Sequence, residues 1–142
     1  MTGSPDREAR IGTMAESRPC PCRRGDTFAE CCGPALSGAR PAPTAEALMR
    51  SRFTAFALGD TDYLWRTWHP THRPASIDPD PDLRWLFLEI VRTERGGPFD
   101  TTGTVEFRAH HRGPDGRGTL HETSRFVRED GAWLYLDGLL HP

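Results

Sequence analysis

The chain of 142 residues contains no lysine, no asparagine and no glutamine, so all 18 of its basic side chains are arginines. Without lysine there is no Schiff-base nucleophile and no phosphate-loop lysine. A GC-rich coding sequence produces the same bias, so the arginine excess is not read as a functional sign. Long hydrophobic runs are missing as well: no stretch approaches the roughly 20 apolar residues that a membrane-spanning helix needs. The formal charge of −2 leaves no overall positive field for a nucleic-acid backbone. No secretory leader is recognisable, and a cytoplasmic location is expected. Glycine and proline are plentiful, at 14 and 13 residues. They predict long connections around one core, for which a chain of this size has room.

Cysteine is scarce and confined. The four cysteines stand as Cys20-Pro21-Cys22 and Cys31-Cys32, and the chain beyond has none. Short Cys-x-Cys and Cys-Cys pairs separated by a loop can wrap one tetrahedral zinc ion without a ligand from elsewhere. Neighbours such as Cys31 and Cys32 can hardly bond each other without strain. Zinc held by Cys20, Cys22, Cys31 and Cys32 is therefore the expected cofactor. Copper(I) or an iron–sulfur cluster would use the same thiolates, and redox thiols or disulfides are the remaining alternatives. Four thiolates on zinc carry a formal charge of −2, which Arg18, Arg23 and Arg24 are placed to offset. These arginines either screen the knuckle or offer a basic surface to an acidic partner. Such a site has no open position, so the ion is expected to be structural, and it supplies on the order of 10 kcal/mol in comparable peptides.

Along the chain, residues 1–18 read as a disordered tail, and Met1 and Met14 both stand as candidate starts. The zinc module covers residues 19–36, and residues 37–43, with Gly38, Pro41 and Pro43, form a linker. Residues 44–142 make the main domain. Thr44 sits where an N-cap belongs, Glu46 lies in the first turn, and Leu48, Met49, Phe53, Phe56 and Ala57 recur at helical spacing until Gly59. This predicts an amphipathic helix of about four turns. Asp60 caps a second, shorter one, with Tyr63, Leu64 and Trp68 on its apolar side before Pro70. From residue 84 the period changes to two. Strands are expected over residues 84–92, 102–111, 119–128 and 133–137, joined by the turn chemistry of Gly113-Pro114-Asp115-Gly116 and Asp130-Gly131. Helices followed by an antiparallel sheet define an α+β fold with the helices on one sheet face.

Cys20-Pro21-Cys22-Arg23-Arg24-Gly25 and Cys31-Cys32-Gly33-Pro34 resemble the SEC-C zinc motif, named for the C-terminal tail of the SecA translocation motor. Three further groups of residues extend the likeness: Thr44 through Phe53 with Gly59-Asp60 and Tyr63, Thr67-Trp68-His69-Pro70, and Gly103 through Phe107. With Leu120-His121-Glu122, Ser124-Arg125-Phe126, Gly131, Trp133 and Asp137-Gly138, the whole resembles the bacterial YchJ family over residues 19–138. That resemblance implies a zinc knuckle followed by a nuclear transport factor 2-like cone, in which a curved antiparallel sheet wraps around helices. It implies no settled activity. Two departures stand out: Arg23-Arg24 replaces the family's Gly-Ser, and the second, C-terminal cysteine motif of some members is missing, leaving one metal per chain.

A cone of this kind can hold a small molecule, and its candidate lining is His69, Arg73, Trp85, Glu106, Arg108, His121, Glu122, Arg125 and Asp137. His121 and Glu122 are neighbours on a strand and point to opposite faces, so they cannot act as one dyad. Glu122 shares a face with Ser124 and Phe126, where it serves as a base or pairs with an arginine across the sheet. Trp65, Trp68, Trp85 and Trp133 read as core. No nucleophile–base pair stands out, so binding is expected ahead of catalysis. Two functions remain open. In one, the SEC-C module recruits a protein or ribonucleoprotein partner, by analogy from translation or secretion machinery. In the other, the cavity binds or transforms a small molecule and zinc is only a staple.

Overall fold

The computed structural model describes residues 17–142. The tail reading and Met14 lie outside the described residues, apart from Ser17 and Arg18. The cysteine segment forms a small hairpin, bridged between Pro19 and Thr27 and followed by a 3-10 turn at Phe28–Glu30 and the short helix α1, Gly33–Ser37. The long helix α2 spans Ala45–Leu58 and α3 spans Thr61–Arg66. Four strands follow, β1 Arg84–Arg95, β2 Thr102–Gly113, β3 Gly116–Glu129 and β4 Ala132–Leu140. They form one antiparallel sheet in the order β1-β2-β3-β4.

The helix boundaries follow from their caps. The Thr44 hydroxyl accepts from the Ala47 amide at 3.0 Å, and Gly59 closes α2 in a left-handed conformation at φ 77. The Asp60 carboxylate accepts from the Tyr63 amide at 3.1 Å and opens α3. The strands are longer than their alternation predicted, because the sheet extends past the apolar positions at its ends. Asp130 and Gly131 both take positive φ, at 52 and 80, which a two-residue hairpin of this hand requires. Extra residues at Leu86 and Val91 of β1 and Leu136 of β4 interrupt the ladder. Such bulges bend and twist a sheet, and here they curve it around α2.

Helix α2 departs from the amphipathic expectation. Ala45, Leu48, Met49 and Phe53 are buried, but so are Ser51, Arg52 and Thr54. The sheet covers one side of the helix and the cysteine segment covers another. Cys20, Cys22, Phe28, Cys32 and Leu36 belong to the same buried cluster as Leu48, Phe53, Val105, Phe107 and Phe126. Burial of the polar positions is tolerated because each is bonded: Ser51 Oγ lies 2.6 Å from Tyr63 Oη and donates to the Leu48 carbonyl at 2.8 Å. The residues after α1 are tied down in turn, as the Trp133 indole donates to the Pro43 carbonyl at 3.2 Å. Trp133 is core as expected, whereas Trp65 is 43% exposed. Its indole donates to the Pro74 carbonyl and the Arg73 guanidinium lies over its ring at 3.8 Å, an arrangement that lets an aromatic ring stay at the surface.

The start of α2 meets the β1–β2 turn at two glycines. The Ala45 amide donates to the Gly96 carbonyl at 2.9 Å. A Cβ on Gly103 would lie 2.5 Å from the Gly96 Cα and 3.3 Å from the Ala45 Cβ. Backbone cannot yield cheaply there, so Gly103→Ala is expected to lower the unfolding free energy by about 1–3 kcal/mol. A denaturant midpoint unchanged in that variant would contradict this packing.

Candidate functional site

The four cysteine sulfurs converge within 4.8 Å of one another. Cys22 and Cys31 are 3.6 Å apart and Cys31 and Cys32 are 3.9 Å apart. Sulfurs at the corners of a tetrahedron around zinc, with Zn–S bonds near 2.3 Å, would be separated by about 3.8 Å. All four cysteines are free of disulfides, and their geometry fits one zinc ion. Cys20, Cys22 and Cys32 are buried and Cys31 is half-buried. The thiols share protons: Cys20 is pulled down to about 2 by hydrogen bonds from Cys22 and Cys32. Cys22 is pushed up to about 11, chiefly by its bond to Cys20. Cys32 is raised further by its bonds to Cys20, Cys22 and Cys31 and by burial. A dication would take the place of those protons and hold the hairpin closed against α2.

The cation expected beside the thiolates comes from another residue. Arg18, Arg23 and Arg24 are exposed; the Arg24 guanidinium reaches Asp26 at 3.7 Å, and Arg24 meets Cys22 through its backbone amide. Arg50 of α2 faces the cluster instead. Burial works against its guanidinium, but a 3.0 Å bond to Glu46 and a hydrogen bond to the Cys22 sulfur outweigh that and raise its pKa. Its Nη1 is buried with no partner of its own. Sequence reasoning missed Arg50 because it lies far along the chain, at the helix position one turn after Glu46. Arg23 holds φ 62, a left-handed conformation natural to the glycine it replaces and costly for a residue with a Cβ.

On the sheet side of α2 lies a cavity of about 150 Å³ that opens to solvent on one side. Phe53, Phe56, Trp68, Trp85, Phe107 and Tyr135 contribute apolar wall, and Arg52, Glu122 and Ser124 contribute polar groups. Arg52 is 3% exposed. Its Nη1 donates to the Leu64 carbonyl at 2.8 Å and to Thr67 Oγ1 at 2.7 Å, and its guanidinium stands 4.6 Å from the Tyr135 ring and 5.3 Å from that of Trp68. Burial lowers its pKa to about 10, still far above neutrality, so the charge persists. Glu122 Oε2 accepts from Ser124 Oγ at 2.7 Å and from the Tyr135 hydroxyl at 3.3 Å. Burial, with Glu122 adding to it, pushes Tyr135 up to about 12. Gly138 leaves the space that the Glu122 carboxylate occupies, since a Cβ there would overlap it. The Trp68 indole nitrogen is buried and has no hydrogen-bond partner.

Of the nine side chains expected around this cavity, Trp85 and Glu122 line it and seven lie elsewhere. Alternation puts Glu106, Arg108, His121 and Arg125 on the opposite sheet face. There Glu106 bonds His121 at 2.7 Å, Arg108 reaches Glu89 at 3.3 Å, and Arg125 forks onto Asp137 at 2.7 and 2.5 Å. His69 pairs with Glu129 at 2.9 Å, and Arg73 covers Trp65. No arginine stands opposite Glu122, whose ladder partners are Phe107 and Leu140. Arg52, Trp68 and Tyr135 were not foreseen as lining. Arg52 lies one helical turn after Leu48, on the apolar side of α2, and that position was the available signal.

A knuckle of four cysteines fused to a helix-filled curved sheet defines the class, a SEC-C motif with a nuclear transport factor 2-like domain. Family models agree: the SEC-C motif matches residues 18–34, and the model described as "YchJ, middle NTF2-like domain" matches residues 44–138. A UPF0225 protein of Streptomyces coelicolor is 58% identical over 84% of this chain and 94% of its own length. Another from Streptomyces avermitilis is 50% identical over 95% and 96%. Among solved structures, a SEC-C motif containing protein from Rhodopseudomonas palustris superposes with TM-score 0.77 at 35% identity, covering 88% of this chain and all of that one. One from Psychrobacter arcticus gives TM-score 0.74 at 27% identity, covering 91% and 86%. The chain belongs to the YchJ family.

The cysteine geometry sets a test of composition. The chain is expected to carry one zinc ion near neutral pH, and Cys31→Ser/Cys32→Ser is expected to carry none. Because Cys22 and Cys32 must give up protons to bind, zinc should be shed as pH falls. Elemental analysis across a pH series measures both, and full zinc in the double variant would contradict the assignment.

Proposed function

We propose that the chain is a small-molecule binding protein in which zinc is a structural staple. One observation carries this reading: the cavity sets a carboxylate with unused accepting capacity, Glu122, among aromatic walls. The Glu122 carboxylate accepts from Ser124 and Tyr135 at one oxygen, Oε2, and can accept a further bond. An apolar cavity of about 150 Å³ engineered in another protein accepts benzene. The best fit is thus a neutral ring-sized molecule bearing a hydroxyl, which can donate to Glu122. The Arg52 charge disfavours a cationic ligand. The serine hydroxyl on the wall, Ser124, is buried and donates to Glu122, and among the described residues the lining holds no histidine to activate it, which supports binding ahead of catalysis.

Phenol and benzene separate the contributions of shape and polarity. Phenol is expected to bind about tenfold more tightly or better, through the hydrogen bond to a charged acceptor. It should move the Trp68 indole N–H resonance, and Leu120→Trp should abolish binding by filling the cavity. Equal affinity for the two probes, or phenol binding that survives Leu120→Trp, would overturn the reading.

A second reading rests on the three exposed arginines, Arg18, Arg23 and Arg24, around the zinc segment. They would present a basic surface to an acidic protein or ribonucleoprotein in the cytoplasm, with translation or secretion machinery the analogy. Among the described residues no helix is long and apolar enough to cross a membrane. This reading expects an acidic partner to be captured from lysate by the native chain and lost on exchanging the three arginines for serine with zinc retained. Capture unaffected by that exchange would remove the basic surface as its basis.

A further inference from the structure

We propose that Glu106, His121 and His141 form a metal site for a divalent first-row transition ion, on the sheet face turned away from the cavity. Their three candidate ligand atoms lie within 4.8 Å of one another. Glu106 is on β2 and His121 on β3, and the strand pairing sets them diagonally on one face, with Glu106 opposite Thr123 and His121 opposite Arg108. His141 joins them because the chain continues the ladder beyond β4: its amide donates to the His121 carbonyl at 2.8 Å. The two imidazoles stack with centroids 4.3 Å apart and planes inclined by 29°. Thr123 Oγ1 lies 2.8 Å from His141 Nε2 and fixes that ring.

His121 Nε2 and Glu106 Oε2 are 2.7 Å apart. Ligands bound to one zinc-like ion at about 2.1 Å stand roughly 3 Å or slightly more from each other, so a cation could replace the bridging proton with little movement. The neighbouring charges on this face are otherwise engaged. Arg92, the ladder partner of Glu106, bonds Glu94 at 3.3 Å, Arg108 bonds Glu89, and Arg125 bonds Asp137. Among the described residues Glu106 is paired with histidine and with no arginine. His121 and Glu106 are each 24% exposed, so an ion can enter from solvent yet lose part of its hydration. Two imidazoles and one carboxylate suit zinc, nickel, cobalt or copper and leave coordination positions open, unlike the closed four-cysteine site.

The test uses the full chain with its cysteine site filled by zinc, titrated with Ni²⁺. Equilibrium dialysis is expected to show one further equivalent, and the His121 and His141 ring resonances should broaden first. Glu106→Gln, which keeps the side-chain size, and His141→Ala are each expected to weaken Ni²⁺ binding by about tenfold or more. His69→Ala and His110→Ala, which remove other carboxylate-bonded histidines, should leave it unchanged, and amide spectra confirm that each variant is folded. The proposal is overturned if no saturable binding occurs below millimolar Ni²⁺, if His141→Ala and Glu106→Gln bind as the native chain does, or if His69→Ala or His110→Ala removes the ion instead.

Discussion

The Cys20 sulfur and the Thr54 hydroxyl lie 3.6 Å apart, and at that contact the cysteine segment closes over the long helix. Helix α2 is then enclosed from two sides, by the cysteine hairpin and by the sheet. The Leu88 amide reaches the Cys22 carbonyl at 3.4 Å, and the Arg66 guanidinium reaches the Leu36 carbonyl at 3.1 Å. The hairpin is therefore part of the domain core. A metal that closes the hairpin also fixes the helix on which Arg50 and Arg52 are carried in opposite roles, one toward the sulfurs and one toward the cavity.

That arrangement accounts for the buried charge. An isolated guanidinium inside a protein is costly, and it persists where hydrogen bonds and aromatic faces replace water. Arg52 has the Leu64 carbonyl, Thr67 and the faces of Tyr135 and Trp68. Arg52, Trp68 and Tyr135 also line the cavity, so the cluster that keeps the helix in place also gives the cavity its chemistry. The opposite face of the sheet is solvated, and its charges are arranged in short pairs, across strands for Glu106–His121, Arg108–Glu89 and Arg125–Asp137 and within β1 for Arg92–Glu94. The two faces are separated by strand alternation alone, which is why Glu122 and His121 serve different sites.

Much of the fold was legible because its signals are local. Thr44, Asp60 and Gly59 mark helix ends through bonds within a turn of themselves, and Asp130-Gly131 fixes a hairpin by backbone conformation. The four cysteines carry their geometry in their spacing. The sites were less legible because they depend on which surfaces meet. Nothing near Cys22 in the chain announces Arg50, and three exposed arginines nearby were the more obvious cations. Period-two reasoning separated His121 from Glu122 but could not say that Glu106 and His141 would gather around His121. The exposure of Trp65 turns on Arg73 and Pro74, which lie in an irregular segment without a periodic signal.

If the metal centre holds α2 in place, native-state amide exchange of α2 in the zinc-loaded chain and after chelation is the most direct measurement. Removing zinc is expected to speed exchange throughout Ala45–Leu58 and in the paired strands behind it, together with the cysteine hairpin. Loss of protection confined to residues 19–36, with the helix protected as before, would contradict the account and make the knuckle an independent appendage.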